Sequence, residues 1–367
     1  MSIHEERTQR ARVLMAEKGI DAMLILSLEN YYYFTGDYRR QPRALIPRDS
    51  KPLLMVSRGE VEEARSQSWI KDVRGYGHLH EMMITIIDVL KQRGLSTGKL
   101  ALEMEFATPA FLLERFKLAN PTVQVVDSKP ITSPLRLAKS AEELELIRGA
   151  ASLADVGMAA AVKALRSGVS EIEVAAEAEY ALKKAGAERV AFPIFVNSGP
   201  RSAWLHGLAT YRKMQQGEPV LIDIGPVYHG YCADICRTVV VGGSPTPERR
   251  QVYDAYRHAQ RSVLEMLRPG KRGMDIDQLA SQVVTEHGYG EYYVRGFAHG
   301  VGLGFEETPF PTIFPEDTVQ ELPANTVLAV GHPTLAVPGV GGFRVEDTVV
   351  LTSEGVEVLT KFPQELG

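Results

Sequence analysis

Asp223 lies inside an otherwise apolar run, Val220-Leu221-Ile222-Asp223-Ile224-Gly225, and no other feature constrains this 367-residue chain so tightly. A charge in a buried strand is expensive unless it is paired or coordinates a metal. A second acid, Asp234, follows in Tyr231-Cys232-Ala233-Asp234-Ile235-Cys236-Arg237-Thr238, just past Gly230. A hairpin turning between Tyr228 and His229 sets the two carboxylates directly opposite each other. Their Cβ atoms are then about 5 Å apart, where like charges repel. A divalent cation between them converts that repulsion into attraction. The competing reading pairs one Asp with Arg237 and turns the other to solvent.

Two further segments carry the same chemistry. His299 stands among glycines in Phe297-Ala298-His299-Gly300-Val301-Gly302, where the backbone can approach a site closely. Glu346, in Arg344-Val345-Glu346-Asp347, belongs to a strand-like run from Gly342 to Leu351. Mixed carboxylate and imidazole donors suit Mn, Co, Fe or Zn.

Other partners are disfavoured. The formal net charge of −5 leaves no basic surplus for a phosphate backbone, so nucleic acid is not expected. Two cysteines are too few for a disulfide framework or a thiolate zinc site; four apart along a strand, Cys232 and Cys236 share a face as small core residues. The first residues are charged and lack an apolar signal region, and no apolar run approaches the ~20 residues of a membrane helix. A cytoplasmic protein without membrane contact is expected.

The chain divides at Lys129-Pro130-Ile131-Thr132-Ser133-Pro134, whose two prolines break the pattern. The domains are set at 1–132 and 140–367 with a linker over 133–139. The first alternates helices (Glu6–Lys18, His80–Arg93, Ala107–Lys117) with strands (Asp21–Ser27, Pro52–Ser57, Lys99–Met104, Val123–Asp127), a small α/β unit. Asn30 to Gly36 reads as a polar-to-aromatic turn, its Tyr31–Phe34 cluster a packing or interface patch. In the second, Ser140-Ala141-Glu142-Glu143 and Ser170-Glu171-Ile172-Glu173 are capping boxes that open helices ending near Leu165 and Gly186. Thr246-Pro247-Glu248 opens a third helix, ended by Pro269-Gly270, and Asp275–His287 makes a fourth. Helix, helix, strands thus occurs twice, which suggests two similar halves. Gly341-Gly342 reads as a hairpin turn.

With Asp223, Asp234, His299 and Glu346 in this order, the chain resembles the "pita-bread" metallohydrolases: methionine aminopeptidase, aminopeptidase P, prolidase and creatinase. The resemblance extends to the Asn30–Gly36 segment and to Lys139-Ser140. It implies an α+β protein, a small α/β creatinase-type domain followed by a pseudo-twofold catalytic domain. It also implies a homodimer and two divalent ions per chain held by these four residues. His206, after Ser198-Gly199-Pro200, is similar to the family's substrate-side histidine, and Trp204 beside it would wall the substrate pocket. Two positions depart from the pattern: His332 stands where prolidase-like members carry a ligand Glu, and Glu306 where they carry a second catalytic His. Three carboxylates and two histidines around two divalent ions leave one positive charge, which a bridging hydroxide would cancel. Alternatively, Glu306 turns inward as the fourth carboxylate, or one ion is missing.

The reaction implied is hydrolysis of an amide bond by a metal-activated hydroxide, in a short peptide with proline after the scissile bond. His206 would bond the substrate carbonyl, Glu306 would protonate the leaving nitrogen, and Arg344 would neutralise a carboxylate or bind one on the substrate. His332 is expected among the ligands. A creatinase-like hydrolase of a small C–N bonded metabolite is the second reading, and a non-catalytic interaction module the third.

Overall fold

The computed structural model describes residues 2–39 and 43–366. Two compact units divide the chain, Met1–Arg136 and Leu137–Gly367.

The first unit is built on six strands: β1 (Ala22–Ile25), β2 (Ala44–Pro47), β3 (Leu53–Ser57), β4 (Asp72–Tyr76), β5 (Lys99–Leu102) and β6 (Gln124–Asp127). They lie in the order β4-β3-β2-β1-β5-β6. The helices are α1 (Ile3–Glu17), α2 (Leu28–Thr35), α3 (Val61–Gln67), α4 (Leu79–Gln92), α5 (Ala110–Ala119) and α6 (Lys129–Leu137). Helix α4 lays Met82, Ile86, Val89 and Leu90 on the core of the sheet, an i, i+4, i+7, i+8 stripe.

Two readings of this unit are corrected. Asn30–Gly36 is not a turn but most of α2: Ser27 is its N-cap, accepting the Asn30 N–H at 3.1 Å, and Gly36 its left-handed C-cap. The polar and glycine flanks that suggest a turn are the helix caps. Tyr31, Tyr33 and Phe34 are buried, so the aromatic cluster is packing. Lys129–Pro134 is also helical, within α6; Pro130 sits in the first turn, where its missing N–H removes no helical bond, and Ile131 and Leu135 are buried.

The second unit opens with α7 (Ala141–Ala164) and α8 (Glu171–Ala185), each started by the expected capping box. Strands β7 (Arg189–Val190), β8 (Phe195–Ser198), β9 (Pro219–Ile224), β10 (Pro226–Tyr228), β11 (Tyr231–Cys232) and β12 (Ile235–Val240) follow. Then come α9 (Pro247–Met266), capped by Thr246, and α10 (Gly273–Glu286). Strands β13 (Ala298–Gly300), β14 (Val327–Val330), β15 (Leu335–Val337), β16 (Gly341–Phe343), β17 (Glu346–Leu351) and β18 (Val356–Val358) complete it. Helix, helix, strands does occur twice, and the α+β class is the one expected.

The main sheet runs β13-β14-β17-β12-β9-β8, with β18 on β17. Its hairpin register differs from the expected one. Val227 pairs with Cys232 and Tyr228 with Tyr231, so the two-residue turn is His229-Gly230, both with positive φ. Asp223 therefore pairs with Cys236, not Asp234. Cys232 and Cys236 lie on different strands, β11 and β12, both buried. Gly341 and Gly342 are not a turn but the start of β16. A Cβ on Gly342 would come 2.1 Å from the Ser202 carbonyl oxygen, so only glycine admits this close approach.

Candidate metal centre

The register builds the site. Cys236 on β12 pairs with Asp223 on β9 and with Glu346 on β17, so these three residues form a row across the sheet. Asp234, two residues before Cys236, is the diagonal neighbour on the same face. Thr348 fixes it: its hydroxyl accepts the Asp234 N–H and donates to the Asp234 carbonyl, both at 2.8 Å. Asp347 pairs with Ile235 and belongs to the opposite face. There it takes Arg237 at 2.6 Å, so Arg237 is the partner of neither Asp223 nor Asp234.

His299 enters from β13 with Nδ1 3.1 Å from the Gly300 carbonyl, leaving Nε2 toward the acids, 3.6 Å from Glu346 Oε1 and 3.9 Å from Asp234 Oδ2. His332 follows β14, its backbone bracketed by the Tyr256 hydroxyl, which reaches the carbonyls of Gly331 and of Pro333, the latter at 2.6 Å. Arg344 is buried among them. Its Nη1 lies 2.8 Å from Asp223 Oδ2, and its Nη2 meets Glu346 Oε2 and lies 3.0 Å from His332 Nδ1.

Burial and charge set the protonation. Burial pushes the Asp223 carboxyl up to about 6, against the pull of Arg344. Asp234 rises further above the ordinary range, through burial and then the charges of Glu346 and Asp223. Burial opposes ionisation of Glu346 too, but Arg344 with the two histidines outweighs it and holds this carboxyl well below its usual range. Burial and Arg344 drive His332 down to about 3, so it is a neutral imidazole.

The donor set fits a divalent cation. Asp223 Oδ1, Asp234 Oδ1, His299 Nε2 and Glu346 Oε1 are buried without hydrogen-bond partners, a costly arrangement that ligation would relieve. Asp234, His299 and Glu346 offer ligand atoms within 4.8 Å of one another, and so do His299, Glu306 and His332.

A cavity of about 120 Å³ opens onto these groups. Asp223, Asp234, Arg344, His206, Glu306 and His332 are its polar lining. Phe192, Phe195 and Phe305 form an aromatic wall that sequence reasoning missed, since phenylalanines in loops and strand ends carry no pattern of their own. Glu306 Oε1 is 3.8 Å from His332 Nε2, and the His206 and His332 rings are 6.2 Å apart. Trp204 does not line the cavity; it is 54% exposed, with the Arg201 guanidinium 4.3 Å above its ring.

Glu171 is a further residue without a sequence signal beyond its place in a capping box. It is fully buried and ties both ends of the loop that carries His206. It accepts from Ser198 N–H at 2.8 Å, Arg201 Nε at 3.1 Å, Thr210 N–H at 3.0 Å and the Thr210 hydroxyl at 2.7 Å.

Residues 145–353 match metallopeptidase family M24, and residues 7–138 the creatinase/prolidase N-terminal domain. The chain is 33% identical over 362 residues to an Xaa-Pro dipeptidase of Pyrococcus furiosus, covering 99% of each. It superposes on a prolidase from Pyrococcus horikoshii with a TM-score of 0.87 at 32% identity, over 99% of this chain and 100% of that one. For an Xaa-Pro dipeptidase from Bacillus anthracis the TM-score is 0.88 at 30% identity, over 99% of each.

Proposed function

The chain belongs to metallopeptidase family M24, with a creatinase/prolidase N-terminal domain, and on that premise we propose that it hydrolyses the Xaa-Pro bond of dipeptides and other short peptides. The observation that carries this reading is the convergence of four orphaned buried donor atoms, on Asp223, Asp234, His299 and Glu346, beneath an aromatic-walled cavity. These residues, with His332, would hold two divalent ions per chain drawn from Mn, Co, Zn and Fe.

Bound there, a divalent ion polarises the scissile carbonyl and lowers the pKa of water toward about 7. The chain's own groups supply the rest. His206 donates a hydrogen bond to the carbonyl oxygen as negative charge develops on it. Glu306, which lines the cavity, takes the proton that water loses as it adds to the carbonyl and passes it to the leaving nitrogen, which departs as the secondary amine of proline. Arg344 neutralises Asp223 and Glu346 and keeps them ionised as ligands. Phe192, Phe195 and Phe305 offer an apolar surface matched to the pyrrolidine ring. We also infer a homodimer, from the family resemblance; light scattering on the purified protein tests it.

The test is a panel of Xaa-Pro dipeptides, matched Xaa-Ala dipeptides and small guanidino compounds, assayed before and after chelation and after readdition of each ion. Metal-dependent cleavage confined to Xaa-Pro supports the reading. Cleavage of guanidino compounds alone would transfer it to the creatinase-like alternative, which the Glu306 and His332 departures favour.

A further inference from the structure

Glu306 and Glu307 are neighbours in the chain with different partners. Glu306 lines the cavity, its Oε1 3.8 Å from His332 Nε2. Glu307 Oε1 instead lies 3.0 Å from Lys139 Nζ, and the lysine and glutamate side chains are 2% and 9% exposed. Breaking an ion pair so far removed from water leaves an uncompensated buried charge. Lys139 itself is not among the residues that line the cavity.

The pair closes a loop. Glu307 Oε2 accepts the Gly304 N–H at 3.0 Å, and the Glu307 N–H donates to the Gly300 carbonyl at 3.0 Å. Between Gly304 and Glu307 stand only Phe305 and Glu306, and both line the cavity. The Glu307 carboxylate is seated against the loop's own backbone: a Cβ on Gly302 would come 2.4 Å from Oε1. The Gly302 carbonyl in turn accepts the Cys232 N–H at 2.7 Å. The anchoring lysine stands on a fixed stretch of chain. Its N–H donates to the Asn325 carbonyl at 2.9 Å, and the next residue, Ser140, caps α7.

We propose that Lys139 is a positioning residue for proton transfer, which acts through Glu307 to hold the Gly304–Glu307 segment so that the Glu306 carboxylate stays in the cavity. The proposal rests on the role given to Glu306 above and adds the group that fixes where that carboxylate stands. Proton transfer requires hydrogen-bond reach, so its carrier needs a fixed seat. Without the ammonium, Glu307 is a buried carboxylate with no cation. Turning toward water, it releases the Gly304 N–H and displaces Glu306, to which one peptide bond joins it.

The test uses the full-length protein loaded with Mn²⁺ or Zn²⁺ and the dipeptide Ala-Pro, with amide hydrogen exchange followed over residues 301–308. Lys139→Met removes the ammonium, and Glu307→Gln removes its partner's charge while keeping the side chain's shape. Each is expected to lower kcat by about tenfold or more, because displacing a reacting group by about 1 Å can cost about 10²-fold. Bound metal should stay native and exchange over 301–308 should accelerate. In a Glu306→Gln background the same substitutions should lower kcat little further, since the group they position is already gone. A merely structural role would lower the melting temperature and leave kcat per loaded site native. Native kcat in Glu307→Gln overturns the proposal, as does the full loss repeated in the Glu306→Gln background. Native exchange over 301–308 in both variants overturns it whatever the activity. Native turnover in Glu306→Gln alone overturns the proton-transfer reading, and the proposal falls with it.

Discussion

The Arg344 guanidinium lies 2.8 Å from the Asp223 carboxylate, and the two side chains are almost wholly buried, 1% and 3% exposed. The same guanidinium also meets Glu346, so one cation serves two buried carboxylates. Removing one member of a buried ion pair costs about 3–5 kcal/mol, because the partner charge is left uncompensated. Arg344→Met is expected to destabilise the chelated protein by that amount in urea unfolding. Added divalent ions should recover part of the loss, since they supply positive charge at the same carboxylates.

The pH dependence has a definite sign. Asp223, raised from 3.8 to about 6, and Asp234, raised further, bind protons more tightly in the folded chain than in the unfolded one. The Asp223 contribution is fully present below about pH 4 and is lost as the pH climbs through 6, and that of Asp234 has the same sign. Glu346, held low, contributes from the mid-acid range upward and does not offset this loss. A bound cation requires the ionised carboxylates, so protons compete with it. The gap in melting temperature between ion-loaded and chelated protein is therefore expected to widen from pH 5 to pH 7. A gap that narrows over that interval would contradict the assignment.

Glu306→Gln removes the proposed proton donor in the cavity and keeps the shape of the side chain. Turnover of an Xaa-Pro dipeptide should fall on the order of 10²-fold with KM little altered, as for loss of a general acid. Unchanged turnover removes Glu306 from proton transfer.

Glu171→Gln leaves the metal centre intact but weakens the bonds to Ser198, Arg201 and Thr210 that fix the His206 loop. A loss of about 1–3 kcal/mol of local stability is expected from the missing charge-assisted bonds. Proteolytic nicking between residues 204 and 211 should accelerate, and KM should rise while metal content stays native. Equal nicking rates in the two proteins would show that Glu171 does not restrain the loop.

Much of the architecture was legible from local rules. Ser140, Ser170 and Thr246 mark helix starts because a side-chain oxygen there satisfies an orphaned N–H wherever the helix is placed. Asn30–Gly36 reads as a turn because capping residues and turn residues are the same types. The partner of Asp223 is ambiguous for a similar reason: moving the turn by one residue exchanges Asp234 for Cys236, and local spacing does not distinguish the two.

The sequence by itself determined which residue types meet at the centre, because an acid inside an apolar strand has few affordable surroundings and Asp223, Asp234, His299 and Glu346 announce that need one by one. Only the tertiary structure decided who faces whom. Glu346 and the adjacent Asp347 go to opposite faces of one strand, the first to Arg344 and the second to Arg237. Glu306 and His332, 26 positions apart in the chain, come within 3.8 Å. Those pairings depend on strand register and on contacts between distant segments, whose energies arise only when the segments are packed together.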